Sequence, residues 1–180
     1  MNYIALLRGI NVGGKNLIPM EKLKLLFKDL GFENIRTYIQ SGNVLFESPE
    51  KKESVLIKKL ESSLQKILDN EVAVFIRKRE DFETIRSLNP FGKIDTAPDA
   101  KFYVSFLQEP LRRKPALPIV SPKKDVEIIE IKNREIFSLT AEINGRFGFP
   151  NNFVESEFDI PATTRNWNTV CKLTDLSFSD

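Results

Sequence analysis

The sequence contains no histidine and only one cysteine, Cys171. Histidine is the usual general base at neutral pH and the commonest protein ligand of transition metals. Its absence excludes serine–histidine and cysteine–histidine catalysis, and we predict neither a metal site nor a bound cofactor. Catalysis would have to use carboxylates, lysine, tyrosine, the thiol or backbone amides. The sequence therefore leaves open whether the protein is an enzyme, and it assigns no catalytic residue.

Long apolar runs and an excess of charge of one sign are also missing. No run approaches the roughly 20 apolar residues that cross a bilayer, and the start MNYIALLRG has no signal-peptide pattern. A single thiol cannot form an internal disulfide. We therefore predict a cytoplasmic protein with no membrane partner. The net charge of +2, from 27 basic and 25 acidic residues, argues against overall attraction of nucleic acid but allows a local patch.

The apolar periodicity of the first 78 residues predicts the element order β-α-β-β-α-β, which is that of the ferredoxin-like motif. Ser41-Gly42 predicts a hairpin between the second and third strands. The predicted strands are 3–7, 35–40, 43–48 and 71–78, and the predicted helices are 20–30 and 50–68. We predict an α+β fold with a ferredoxin-like subdomain at 1–78 and a second, smaller α+β subdomain at 79–180 packed on it.

The second half shows a looser pattern of helices and strands. It is a possible diverged copy of the first half, although no residue-level repeat is visible. Two of its strands are predicted to turn at Asn133-Arg134. The other predicted elements are a helix at 79–88, a strand at 101–107 and C-terminal helices near 153–158 and 164–173.

The loop RGINVGGKN, residues 8–16, follows the first predicted strand directly. It matches the phosphate-binding pattern G-x-x-x-x-G-K, but Asn16 stands where a serine or threonine would bind magnesium. Pro19 also keeps the next helix from starting at the loop, because the residue before a proline avoids helical geometry. These features argue against a nucleotide hydrolase. The glycines then form either a simple wide turn or an anion-binding nest of backbone amides beside Arg8 and Lys15.

Two further polar segments stand out, QSGN at 40–43 and ATTRNWNTVCKLTDL at 162–176. The first is also explained by the needs of a hairpin turn. In the second, Thr163 or Thr164 is predicted to cap the last helix, with Trp167 in its apolar face. Arg165 would then lie in the first helical turn, where the helix dipole disfavours a cation unless an anion meets it.

Together, the segments YIALLRGINVGGKN, RTYIQSGNVLFES and PATTRNWNTVCKL resemble an uncharacterised bacterial family, domain of unknown function 1697. The resemblance spans nearly the whole chain and implies a single cytoplasmic α+β protein with no established activity. It supplies no catalytic residue. The positions that match the family pattern are Arg8, Gly9, Asn11, Gly13, Gly14, Lys15, Gln40, Ser41, Gly42, Asn43, Thr164, Arg165, Asn166 and Trp167.

The leading functional hypothesis is a pocket for an anionic ligand where these three segments converge. The ligand would be a nucleotide, a phosphorylated metabolite or a nucleic-acid phosphate. Cations would bind its negative charge, and side-chain amides would hydrogen-bond its polar edges. The predicted ligand-binding residues are Arg8, Asn11, Gly13, Gly14, Lys15, Gln40, Ser41, Asn43, Thr164, Arg165 and Asn166.

Three alternatives remain open. RNA or single-stranded DNA could stack on sheet aromatics, for which Tyr3, Tyr38 and Phe46 are the candidates. A carboxylate enzyme could use the acidic residues of ESEFD, residues 155–159. A protein–protein interaction module could use the proline-rich stretch 110–122. The sequence does not decide the oligomeric state.

Overall fold

The computed structural model describes residues 1–68, 70–92, 94 and 99–177. The chain forms two compact units, Met1–Ile85 with Leu173–Asp180, and Arg86–Lys172. The predicted α+β class is confirmed, since antiparallel sheets and helices are both present. The predicted subdomain boundary between residues 78 and 79 stays a prediction. Within the described part of the chain, no helix is both long enough and apolar enough to span a membrane.

The first unit contains a four-stranded antiparallel sheet with the strand order β2-β3-β1-β4. Its elements follow one another as strand, helix, strand, strand, helix, strand. They are β1 Asn2–Leu7, α1 Met20–Asp29, β2 Glu33–Tyr38, β3 Asn43–Glu47, α2 Glu53–Gln65 and β4 Val74–Lys78.

The core of the first unit lies between this sheet and its two helices. Alternate residues of β1 share one face, and Tyr3 and Phe46 stack there with ring centroids 5.6 Å apart. Phe27 of α1 meets the Phe46 ring edge-on at 5.3 Å. Apolar residues of α2 at intervals of four, Leu56, Leu60 and Leu64, complete the core. Helical and strand periodicity therefore converge on one aromatic core.

Helix α1 begins where the proline predicts. Pro19 is the N-cap residue, with an extended ψ of 141°, and Met20 is the first helical residue. The helix ends before Gly31, whose φ of +80° turns the chain so that the N–H of Phe32 donates to the carbonyl of Phe27 at 3.2 Å, while the N–H of Gly31 donates to the carbonyl of Lys28 at 2.9 Å. Four residues therefore separate Lys15 from the helix, which is incompatible with a loop that runs straight into a helix to hold phosphates.

The second unit contains a five-stranded antiparallel sheet with the order β11-β5-β8-β7-β6. Asn133, with φ of +53°, forms the predicted turn between β7 and β8. Helices α3 Arg79–Leu88 and α5 Trp167–Ser177 carry residues of both units. The other elements are β5 Lys101–Leu107, β6 Ile119–Val120, β7 Val126–Lys132, β8 Glu135–Thr140, β9 Glu142–Ile143, β10 Arg146–Phe147, α4 Pro150–Phe158 and β11 Ala162–Asn166.

The predicted helix at 164–173 starts too early. Residues 162–166 form β11, which pairs with β5 so that Thr164 lies opposite Ser105. Threonine side chains suit a strand, and the pairing with a distant segment decides the conformation. The helix cap is Asn166, whose Oδ1 accepts a hydrogen bond from the N–H of Asn168 at 2.9 Å. The prediction that Thr163 or Thr164 caps this helix is therefore wrong.

Candidate functional site

The glycine loop, residues 8–16, is closed by its own backbone. The N–H of Asn11 donates to the carbonyl of Asn16 at 3.2 Å, and the N–H of Lys15 donates to the carbonyl of Val12 at 3.1 Å. Gly13 and Gly14 have φ values of +59° and +75°, which other residues adopt only with strain. The loop is thus an ordered turn with its glycines exposed.

The side chain of Asn11 joins this loop to the hairpin turn at 39–42. Its Oδ1 accepts from the N–H of Ile18 at 2.8 Å, and its Nδ2 donates to the carbonyls of Ile18 and Gln40 at 3.0 and 2.9 Å. Two of the three polar segments named above are therefore in direct contact. Asn11 uses its amide group for this connection, so its contribution to a site is to shape the backbone.

The hairpin turn is packed tightly against the end of β1. The N–H of Leu7 donates to the carbonyl of Gly42 at 2.8 Å, and a Cβ placed on Gly42 would lie 2.8 Å from the Cβ of Leu7. Asn43 is fully buried, and its Nδ2 donates to the carbonyl of Tyr38 and to Oγ of Ser41. Gly42 and Asn43 therefore hold the turn in place.

A cleft of about 580 Å³ opens beside the glycine loop. One wall is the start of the loop, a second is a polar face of α2, and the third is the segment that leads into β4. On α2, the lining residues recur at the spacing of one helix face. The lining residues are Arg8, Gly9, Asn16, Lys58, Glu61, Ser62, Gln65, Glu71, Val72 and Ala73.

Hydrogen bonds hold the three walls of this cleft together. The N–H of Arg8 donates to the carbonyl of Ala73 at 2.9 Å, and the N–H of Val74 donates to Oε1 of Glu61 at 3.0 Å. The Nδ2 of Asn16 donates to the carbonyl of Gly9 at 3.2 Å, while its Oδ1 is buried and has no hydrogen-bond partner among the described residues. The cleft is thus a braced site with one unsatisfied acceptor in a lining residue.

The sequence predicts only part of this cleft. Arg8 is among the predicted ligand residues and lines the cleft, whereas Lys58, Glu61 and Glu71 were not predicted. The polar spacing along α2 is visible in the sequence, but every amphipathic surface helix has such a face. Lys15, Gln40, Gly13 and Gly14 are exposed, and Ser41 is half-buried. They are not among the residues that line the cleft.

The third polar segment belongs to the second unit. The hydroxyl of Thr164 donates to Oδ1 of Asn151 at 3.0 Å and shares a 2.7 Å hydrogen bond with the hydroxyl of Ser105. The guanidinium of Arg165 donates to Oγ1 of Thr163 at 2.9 Å and to the carbonyl of Thr164 at 3.0 Å. Burial lowers the pKa of Arg165 to about 10.

Arg165 lies on a strand, so the argument from the helix dipole does not apply to it. Thr164 and Arg165 are both buried, and Asn166 is half-buried and caps α5. The convergence of all three polar segments, and the ligand-binding role of these three residues, stay predictions.

The aromatic residues expected on an open sheet face are mostly in the core. Tyr3 and Phe46 are 1% and 2% exposed, and they face the helices of the first unit. Tyr38 is half-buried. Stacking of bases needs accessible rings, so the expected use of Tyr3 and Phe46 for RNA is wrong.

The acidic segment 155–159 has a structural use. Oε1 of Glu155 accepts from the N–H of Ala162 at 2.8 Å, and its Oε2 accepts from Nδ2 of Asn151 at 3.2 Å. Asp159 has a φ of +52° and forms the C-cap of α4. Among the described residues, no group of three or more His, Cys, Asp or Glu could hold a metal ion.

The proline-rich stretch 110–122 is part of the second unit and packs against its core. Leu111, Leu117 and Ile119 contact its core cluster, and residues 119 and 120 form β6 beside β7. A ligand for a proline-recognition domain presents an extended, solvated helix instead. The stretch therefore gives no specific support to an interaction role.

Comparison with solved structures finds a conserved bacterial protein, SP0830 from Streptococcus pneumoniae, with 24% sequence identity and a TM-score of 0.66. The alignment covers 98% of each chain, and at this identity the likeness shows the fold alone. Comparison with curated proteins gives no match. The family described as "Protein of unknown function (DUF1697)" matches residues 1–137, and the chain therefore belongs to this family.

Proposed function

We propose that the first unit binds a small anionic ligand, such as a nucleotide or a phosphorylated metabolite, in the cleft beside the glycine loop. The observation that carries the proposal is that Arg8 of the loop and Lys58 of α2 line the same cleft. The two cations come from segments 50 residues apart in the sequence. Their presence in one cleft gives an anion two charged contacts from different walls.

The chemistry of the lining suits a phosphate group. An arginine binds phosphate through two parallel N–H donors, and a lysine adds a mobile point charge. Gly9 has no side chain and so leaves space at the wall of the cleft. Ser62 and Gln65 can hydrogen-bond the rest of the ligand. The cleft volume lies within the roughly 300–1,000 Å³ of typical small-molecule sites.

The remaining predicted ligand residues take different parts in this proposal. Gly13, Gly14 and Lys15 form the exposed part of the loop beyond the cleft, and Gln40 and Ser41 lie in the turn attached to it. They are proposed to contact a larger ligand, such as a nucleotide. Thr164, Arg165 and Asn166 stay proposed ligand residues that the cleft in the first unit does not require.

The proposal extends to the finer details of fold and location. We infer that residues 1–78 are ferredoxin-like, which the β-α-β-β-α-β element order and the strand order β2-β3-β1-β4 support. We also propose a cytoplasmic bacterial protein. The single cysteine supports the cytoplasmic location, and the resemblance of the three sequence segments to a bacterial family supports the bacterial source.

The test is calorimetric titration of the purified protein with inorganic phosphate, a sugar phosphate and adenosine monophosphate. We expect at least one probe to bind, and we expect Lys58→Ala and Arg8→Ala to weaken it by about 10-fold or more, as for loss of a charged hydrogen bond. Lys22→Ala is the matched control, because this lysine is exposed on α1 and does not line the cleft. Equal affinity of Lys58→Ala and Lys22→Ala would contradict the proposal.

A further inference from the structure

We infer that the ligand carries a primary amine as well as its anionic group, so that it is a zwitterion of the aminoalkyl phosphate class. This inference rests on the proposed function, because it names the chemistry of the ligand in the same cleft. Its basis is that Glu61 and Glu71 line the cleft together with Arg8 and Lys58. Two carboxylates among the lining residues are unexpected for a site that binds only an anion.

The described residues that line the cleft carry charges of both signs. Two of them are cations and two are carboxylates. A ligand with only negative charge would be attracted by Arg8 and Lys58 but repelled by the two glutamates. A ligand with one group of each sign would find a partner for both, and electrostatic complementarity of this kind sets specificity.

Glu61 is held at the wall of the cleft by the backbone. The N–H of Val74, the first residue of β4, donates to its Oε1 at 3.0 Å, and the side chain is only half-buried. Its negative charge is therefore fixed in place before any ligand arrives. Such preorganisation reduces the cost of binding a cationic group.

Asn16 supplies a second, independent argument. Its Nδ2 donates to the carbonyl of Gly9, while its buried Oδ1 has no partner among the described residues. A buried acceptor without a donor is costly, and such groups in native proteins call for an explanation. Phosphate dianions offer only acceptors, whereas an ammonium group offers three donors. The inference requires that the side chain of Asn16 turns on binding, so that this oxygen accepts from the ammonium.

The experiment compares three small probes that differ by one group each. Phosphoethanolamine carries both phosphate and amine, ethyl phosphate lacks the amine, and ethanolamine lacks the phosphate. In calorimetric titration, we expect the affinity for phosphoethanolamine to exceed the affinity for ethyl phosphate by about 10-fold or more, because a hydrogen-bonded charge pair is gained. Ethanolamine is expected to bind more weakly than either phosphate.

Charge-removing variants assign this preference to the cleft. Glu71→Gln and Glu61→Gln should bring the affinity for phosphoethanolamine close to the affinity for ethyl phosphate. Ethyl phosphate itself should bind as tightly as before or more tightly. Glutamine at position 61 keeps an acceptor for Val74, so the fold should be retained. Glu33→Gln is the control, because Glu33 is exposed on β2 and does not line the cleft. Circular dichroism verifies that each variant is folded.

The two proposals fail in different ways. Equal affinity for phosphoethanolamine and ethyl phosphate, with both weakened by Lys58→Ala, would overturn the amine inference and leave the anion site standing. An unchanged preference in both glutamate variants would overturn it as well. Absence of binding by both phosphate probes would overturn the anion site and the amine inference together.

Discussion

The two units arrange their main strands in the same way but connect them differently. In the first unit β1 lies between β3 and β4, and β2, the hairpin partner of β3, lies on the far side of β3. In the second unit β5 lies between β8 and β11, and β7, the hairpin partner of β8, lies on the far side of β8. After β1 the chain forms the glycine loop and α1, whereas after β5 it forms the proline-rich stretch and β6. The sheet order therefore does not require a helix at this connection, and the connection is where the units acquire different surfaces.

The units also share a contact between a helix and the strand that follows it. In the first unit Glu61 of α2 accepts from the N–H of Val74, the first residue of β4. In the second unit Glu155 of α4 accepts from the N–H of Ala162, the first residue of β11. The shared contact and strand order favour the hypothesis of a diverged copy, which stays a prediction.

The use of that carboxylate differs between the units. Glu61 also lines an open cleft with Arg8 and Lys58, while Glu155 also accepts from Asn151 in a buried network that continues to Thr164. The same anchoring contact thus supports a binding surface in one unit and internal packing in the other. The chemistry available at a shared position therefore depends on whether its neighbours leave it accessible to a ligand.

The largest expected effect is on the aromatic core of the first unit. Phe46→Ala should lower the free energy of unfolding by about 3–5 kcal/mol, because it leaves a cavity among Tyr3, Phe27 and Phe32. Phe149→Ala in the second unit removes a ring that is 58% exposed and should cost less than about 1.5 kcal/mol. Urea denaturation measures both values. Equal losses would contradict the packing of Phe46 inside the core of the first unit.

A smaller effect is expected at the hairpin turn between β2 and β3 of the first unit. Gly42→Ala should cost about 2 kcal/mol or more, because its φ is +73° and the added Cβ would lie 2.8 Å from the Cβ of Leu7. Gly13→Ala has the same backbone strain but open space around the Cβ, so about 1 kcal/mol is expected. Thermal denaturation compares the two variants. A larger loss for Gly13→Ala would mean that steric contact at Gly42 is unimportant.

The shared carboxylate contact can be tested in both units at once. Glu61→Ala and Glu155→Ala each remove the partner of a backbone N–H, and a loss of about 1–3 kcal/mol is expected for each. Glu155→Ala should lie at the upper end, because it also leaves Nδ2 of Asn151 without this partner. The glutamine variants keep an acceptor and should lose less in urea denaturation. A neutral Glu61→Ala would remove the parallel between the units.

The smallest expected effect is at the cap of α5. Asn166→Ala should cost about 1 kcal/mol, because the N–H of Asn168 loses its acceptor. Asn166→Asp keeps the acceptor and adds a favourable negative charge at the helix N-terminus, so its stability should match the parent protein. Thermal denaturation distinguishes the two. Equal losses in both variants would argue against a capping role.

Local patterns account for what the sequence predicts well. Apolar periodicity places β1, α1 and β5 to within one residue at each end, and Asn133 marks the turn between β7 and β8. The prediction of a helix at residues 164–166 is wrong because a distant contact, and not a local pattern, decides their conformation. These residues form a strand only because they pair with β5, about 60 residues earlier in the chain. Propensity and periodicity do not register such a pairing.

The α+β class, the order of elements in the first unit, the glycine loop and the family can all be predicted from the sequence. These depend on local periodicity, on turn residues and on characteristic segments. The presence of Lys58, Glu61 and Arg8 in one cleft and the burial of Tyr3 and Phe46 depend on how distant segments pack together. The reason is physical: a polar helix face becomes a wall, and an aromatic strand residue becomes core, according to which distant segment packs against it.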